Sequence, residues 1–213
     1  MKRTFDTPKG AVSAQLEGPE GGPLLVLAHG AGNDMHTPLF DGIVEGLASR
    51  EVATLRFNFP YKEQGRRAPD PERVLRDAWL AAFEHTAGLS DRVWVGGKSL
   101  GGRIASLVVA DGLLAAGVIF VGYPLHPPGK PERIRDSHLP AIDVPMLFLQ
   151  GTKDPFARWD LLEPLVERLG DRATLHPVEG GDHSFRVRGE PKDDVATGRR
   201  LGEVAGDFIR ERS

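Results

Sequence analysis

Two kinds of apolar pattern alternate along the chain. Short apolar runs bounded by glycine or proline predict buried strands at 24–28, 52–57, 92–95, 117–121, 146–149 and 173–176. Longer segments between them carry helical spacing. Behind Asp70, read as an N-cap, and Pro71, read as the first helical residue, Val74, Leu75, Ala78, Trp79, Ala82 and Phe83 fall on one face. Near the C-terminus Leu201, Val204, Ala205 and Phe208 repeat at i, i+3, i+4 and i+7, although Gly198, Gly202 and Gly206 weaken that helix. The start differs. Residues 3–7 and 11–17 alternate polar and apolar on either side of Pro8-Lys9-Gly10, which predicts a hairpin. A hairpin followed by repeated strand–helix units predicts an α/β fold: a mostly parallel sheet, helices on both faces, an antiparallel hairpin at one edge. The polar segment 60–69 is expected to be a solvated surface loop.

Composition narrows the reading. The chain has 213 residues, which suits one domain over its whole length. Its 26 glycines and 17 prolines exceed the usual share of roughly 12% of a chain and disfavour a helical bundle. A net charge of −3 gives no reason to expect nucleic acid or a membrane surface as partner. There is no cysteine, so disulfides, thiolate metal sites and a cysteine nucleophile are excluded together. The N-terminus is basic without an apolar core behind it, and the apolar stretch 112–125 is shorter than the ~20 residues that span a bilayer. A cytoplasmic protein is expected.

The sharpest chemical signal is Gly97-Lys98-Ser99-Leu100-Gly101-Gly102, a strand running through a tight turn into a helix. Gly-x-Ser-x-Gly is the pattern of a nucleophile elbow, where small residues on both sides of a strained serine let strand and helix approach. A phosphate-binding loop would need glycine at position 92, which is Arg92. Three further features follow predicted strands. His29-Gly30-Ala31 offers the backbone N–H of Ala31 as partner to that of Leu100 for a developing oxyanion. Asp154 lies in a loop after the strand at 146–149, and His183 lies on a glycine-rich turn after the last strand. All sit at the carboxyl edge of the sheet, where open α/β sheets place their sites. Asp182 and Asp160 are rival acids. Lys98 is expected to face solvent, with a role toward anionic substrates as a weaker idea.

These motifs, with Tyr123-Pro124-Leu125-His126-Pro127-Pro128-Gly129-Lys130, resemble the α/β-hydrolase fold over the whole chain. They are similar to a compact bacterial branch related to the Tex30 and KANSL3 hydrolase-like domain, and more distantly to dienelactone hydrolases, from whose cysteine nucleophile this chain departs. The resemblance implies eight strands with the second antiparallel, and a triad of Ser99, Asp154 and His183. In that reading Ser99 attacks, His183 takes its proton and Asp154 orients the imidazole, with no metal or cofactor. Asn33, Tyr123 and His126 are pocket candidates from loop position and resemblance. Only about 20 residues separate the strands where a lid is usually inserted, so an open, lidless site is expected. The function expected is hydrolysis of a small or extended ester, thioester or amide of a small-molecule acyl substrate. The alternative is an interaction module that keeps the fold without turnover.

Overall fold

In the computed structural model, which describes residues 1–212, the chain begins with a hairpin of β1 (Lys2–Thr7) and β2 (Gly10–Glu17). Strands and helices then alternate: β3 (Leu24–Ala28), α1 (Pro38–Ala48), β4 (Ala53–Phe57), α2 (Pro60–Glu63), α3 (Glu72–Glu84), β5 (Val93–Lys98) and α4 (Leu100–Ala110). The second half holds β6 (Val118–Val121), β7 (Met146–Gly151), α5 (Trp159–Leu169), β8 (Ala173–Val178) and α6 (Asp194–Glu211). The eight strands form one sheet in the order β1-β2-β4-β3-β5-β6-β7-β8. β2 pairs antiparallel with both neighbours, and every pair from β4 to β8 is parallel. Between β6 and β7 the only regular element among the described residues is a single 3-10 turn, Leu139–Ala141, so no lid covers the sheet edge.

The period of two sorts the strand residues into two cores. Leu24, Val26 and Ala28 of β3, Val93 and Val95 of β5, and Phe120 of β6 face a layer containing Leu75, Trp79, Ile104, Val108, Leu162 and Leu165 from α3, α4 and α5. Leu25 and Leu27 of β3, Trp94 of β5 and Ile119 of β6 face Phe40, Ile43 and Leu47 of α1 and Leu201, Ala205 and Phe208 of α6. Continuous apolar runs were therefore the right signature for strands covered on both sides.

The glycines of α6 have a packing role. A Cβ on Gly198 would stand 2.1 Å from Leu39 O, and one on Gly202 would stand 2.2 Å from Ile43 O. The facing glycines of α1 are as tight: a Cβ on Gly42 would meet Val195 O at 2.0 Å and one on Gly46 would meet Arg199 O at 2.2 Å. Four glycines thus let two helices approach backbone to backbone. What they lose in helix propensity, on the order of 1 kcal/mol each, is offset by that contact.

Three local expectations are corrected. Helix α3 starts at Glu72, with Pro71 extended (ψ 147°) in the capping position and no side-chain cap. Asp70 is one residue too early to cap and instead accepts from Arg66 at 2.5 Å. The segment 60–69 is no free loop at its start: Pro60 and Tyr61 are buried in α2, and Glu63 accepts from the Ser13 N–H and from Asn58. Lys98 does not face solvent but is 8% exposed.

Candidate active site

The elbow is built by close approach. Ser99 takes φ 51° and ψ −111°, a backbone conformation that costs energy for any residue with a side chain. A Cβ on Gly97 would lie 2.4 Å from Ala28 O, and one on Gly101 would lie 2.2 Å from the same atom. Small residues on both sides of the serine are therefore a steric requirement of β3 lying alongside. Ser99 N–H donates to Val121 O of β6 at 3.1 Å, and Trp79 Nε1–H holds Gly101 O from beneath at 3.2 Å.

Three side chains from separate parts of the chain meet here. His183 Nε2 lies 2.9 Å from Ser99 Oγ, and His183 Nδ1 lies 2.7 Å from Asp154 Oδ2. A carboxylate only accepts, so Nδ1 is the donor and Nε2 is left to accept the serine proton. The Asp154 side chain has no exposed surface, and the imidazole is 19% exposed. Phe156 stacks on the imidazole with ring centroids 4.2 Å apart.

Two groups that the motifs did not single out hold the acid. Gln150 Nε2 donates to Asp154 Oδ2 at 2.6 Å, and the Phe156 N–H donates to Asp154 Oδ1 at 2.7 Å. The signal for Gln150 was available: it is the one amide closing the apolar run of β7. The rival acids are committed elsewhere. Asp182 Oδ1 accepts the N–H groups of Ser184 and Arg186, shaping its own loop, and Asp160 pairs with Arg158. A second serine–histidine contact, Ser106 Oγ to His138 Nε2 at 2.7 Å, lies away from the edge, with Ser106 wholly buried in α4 and donating to Arg103 O.

Leu100 opens α4, so its N–H is among the four that a helix leaves without an internal partner. Ala31 sits in the turn after β3 that is closed by Asn33 N–H to Gly30 O at 3.3 Å. That turn lies against the elbow, since a Cβ on Gly30 would stand 3.6 Å from Ser99 Cβ. His29 fixes it from inside: Nδ1 contacts Gly30 O at 2.9 Å and Nε2 accepts the Phe59 N–H at 3.1 Å. Burial pulls the His29 pKa down to about 4, so the ring is neutral and its tautomer is set by these two partners.

Of the three pocket candidates, the structure brings only Asn33 to an open groove. That groove, of about 260 Å³, runs between the turn after β3 and the His183 loop, with Lys98, Gly30, Asn33, Thr37, Ser184 and Arg186 among its walls. Tyr123 is 1% exposed, its hydroxyl donating to Arg135 O. His126 is 1% exposed, its Nε2 accepting the Arg158 N–H. Both pin segments together, Tyr123 to the chain at Arg135 and His126 to the start of α5 at Arg158. Another cavity, of about 740 Å³, lies elsewhere, between α3 and α4.

The fold is that of an α/β hydrolase. The family model for the α/β hydrolase domain matches residues 22–207, and the chain belongs to that family. Solved structures of similar shape include an esterase domain from Rhodothermus marinus, with 18% identity, TM-score 0.75, and coverage of 99% of this chain and 98% of that one. An α/β serine hydrolase without a lid from Xanthomonas campestris is 20% identical with TM-score 0.73, covering 100% and 92%. A dienelactone hydrolase from Anabaena variabilis is 20% identical with TM-score 0.75, covering 99% and 96%. Among the described residues no helix is long and apolar enough to cross a membrane.

Proposed function

We propose that the protein is a serine hydrolase that cleaves a small-molecule acyl ester through an acyl-enzyme intermediate. The observation that carries this reading is the hydrogen-bonded series Ser99 Oγ–His183 Nε2 and His183 Nδ1–Asp154 Oδ2, at 2.9 and 2.7 Å, on a strained elbow. In the first step Ser99 Oγ bonds to the acyl carbon while its proton passes to His183 Nε2. The carbonyl oxygen takes the negative charge, facing the Leu100 and Ala31 N–H groups. Asp154 holds the imidazolium in place. When the tetrahedral species collapses, His183 returns the proton to the departing alcohol. Water then repeats the sequence on the acyl-serine, with His183 as base. Every step uses groups of this chain.

The esterase and serine hydrolase neighbours support an ester as substrate. The lidless edge supports a substrate reached from solvent and no activation at a lipid interface. A fluorophosphonate probe tests the reading. It should label the wild type and fail to label Ser99→Ala, with Asp154→Asn slowed about a thousandfold or more. Absence of wild-type labelling, together with no turnover of 4-nitrophenyl acetate, overturns it and leaves an interaction module as the better account.

A further inference from the structure

Phe156 stacks on the imidazole of His183, yet the proton relay from Ser99 gives its ring no part. The turn that holds it begins at the acid itself. Asp154-Pro155-Phe156-Ala157 is closed by the Ala157 N–H donating to Asp154 O at 3.2 Å, with proline at the second position to fix the backbone. Asp154 Oδ1 accepts the Phe156 N–H at 2.7 Å, and Phe156 O accepts the His126 N–H at 2.9 Å. Ala157 is buried and ends the turn in the core that holds Leu162 and Leu165 of α5. Both polar groups of the Phe156 backbone are thus committed, and its ring starts from a fixed point.

That ring meets His183 in a set orientation. The two ring centroids are 4.2 Å apart, with the planes 28° from parallel. Asp154 meets the same imidazole at Nδ1 and Ser99 meets it at Nε2. One short turn therefore supplies a carboxylate to an edge of the base and an aromatic ring to its face. Against a neutral imidazole such a ring gives ordinary apolar contact. Against an imidazolium it gives more, because the face of a π-system carries partial negative charge that attracts a cation. The imidazole is 19% exposed, so water screens that attraction weakly. His183 becomes an imidazolium only when it takes the serine proton. An attraction that arises only then lowers the barrier without tightening the ground state.

We infer that Phe156 is a positioning residue for the base: it holds the His183 ring between Ser99 and Asp154 and stabilises the imidazolium through its π-face. This inference rests on the hydrolase reading. The charged groups around the imidazole are Asp154 after β7, Asp182 on the histidine's own loop, and Lys98 at the end of β5, whose Nζ borders with the His183 carbonyl the space left open at Gly122. Arg158, in the same loop as Phe156, is paired with Asp160. Substitutions at Phe156 keep all of these charges.

Three replacements test it. Phe156→Leu keeps an apolar cover without a π-face, and Phe156→Tyr restores the face. Trifluorophenylalanine in place of Phe156 keeps the ring and strips the negative charge from its face. With 4-nitrophenyl acetate, the leucine and fluorinated variants should lose about three- to tenfold in kcat with KM within about twofold, and Phe156→Tyr should keep the wild-type kcat. The acid side of the kcat/KM profile should move to lower pH in the first two, because the imidazolium loses an attraction, and stay in place in Phe156→Tyr. NMR titration of the His183 imidazole, assigned by its loss in His183→Gln, should show the same movement without turnover. Thermal melting checks that Phe156→Leu folds; if it does not, the fluorinated variant decides alone. Unchanged kcat and acid limb in both variants overturn the inference. So does a rise in KM with kcat kept, which makes the ring a substrate contact, and so does a loss in Phe156→Leu with the fluorinated variant at wild type, which reduces the ring to packing. Any of these in an enzyme that labels at Ser99 overturns this inference alone. Absence of wild-type labelling and turnover overturns the hydrolase reading, and the NMR titration then decides whether the ring acts on the imidazole.

Discussion

Gln150 joins Asp154 to the backbone that follows β6. Its Nε2 donates to Asp154 Oδ2 at 2.6 Å while its Oε1 accepts the Tyr123 N–H at 2.7 Å. Its amide nitrogen serves a carboxylate and its oxygen serves the backbone after β6. Gln150→Leu keeps the volume and strips both partners. Expected is a loss of about 1–3 kcal/mol in stability by denaturant titration. A fall in kcat of roughly tenfold with little change in KM should accompany it, because the imidazole loses its fixed acid and substrate contacts stay.

Steric closeness at the elbow gives a second prediction. Gly101→Ala would set a Cβ 2.2 Å from Ala28 O and 2.8 Å from His29 O, both backbone atoms. Neither β3 nor α4 can yield without moving Ser99 or the Ala31 turn. Fluorophosphonate labelling should drop at least a hundredfold even where circular dichroism shows a folded chain. Labelling at the wild-type rate would contradict the elbow geometry.

The helix pair α1–α6 offers a graded comparison. Gly202→Ala directs a methyl onto Ile43 O at 2.2 Å and should cost about 3 kcal/mol or more. Gly206→Ala meets Arg50 Cβ at 2.6 Å, an atom fixed to its own backbone, but that backbone lies after the end of α1 and not within a helix. A shift there, with a gain in helix propensity of about 1 kcal/mol, offsets part of the contact. Gly206→Ala should melt below wild type and above Gly202→Ala.

Acid should weaken the fold through His29. The unfolded imidazole binds its proton near pH 6.5, but the buried folded one does so only at about 4. A lowered histidine pKa means that the unfolded chain holds more protons in between, so stability falls as pH drops from about 6.5 to 4. The full effect is on the order of 3 kcal/mol. His138, lowered to about 4 mainly by burial, acts in the same direction. Denaturation midpoints at pH 7, 5.5 and 4.5 should fall in wild type, and the slope should be shallower in His29→Gln.

Most of the architecture was legible because its determinants are local. Runs such as 24–28 and 146–149 read as two-sided strands, since a strand covered on both faces needs apolar residues at every position. The order of Ser99, Asp154 and His183, each after a strand, placed them at one edge, because parallel strands all end on the same side. Misreadings arose where a residue's partner was distant. Gly198 and Gly202 looked like flaws in a helix until α1 was set against them.

The sequence by itself determined the alternation of strands and helices and the tight strand-to-helix turn at Ser99, and it put Ser99, Asp154 and His183 each after a strand. These depend on periodicity and on turn sterics, which act over a few neighbouring residues. Only the tertiary structure decided that Asp154, rather than Asp182, meets His183, that Gln150 backs it, and that Tyr123 and His126 are buried. It also decided that Lys98 is buried, its ammonium without a hydrogen-bond partner among the described residues, although its neighbours suggested an exposed helix start. Hydrogen-bond partners and burial depend on which distant segments come within a few ångströms, and packing sets that for the chain as a whole.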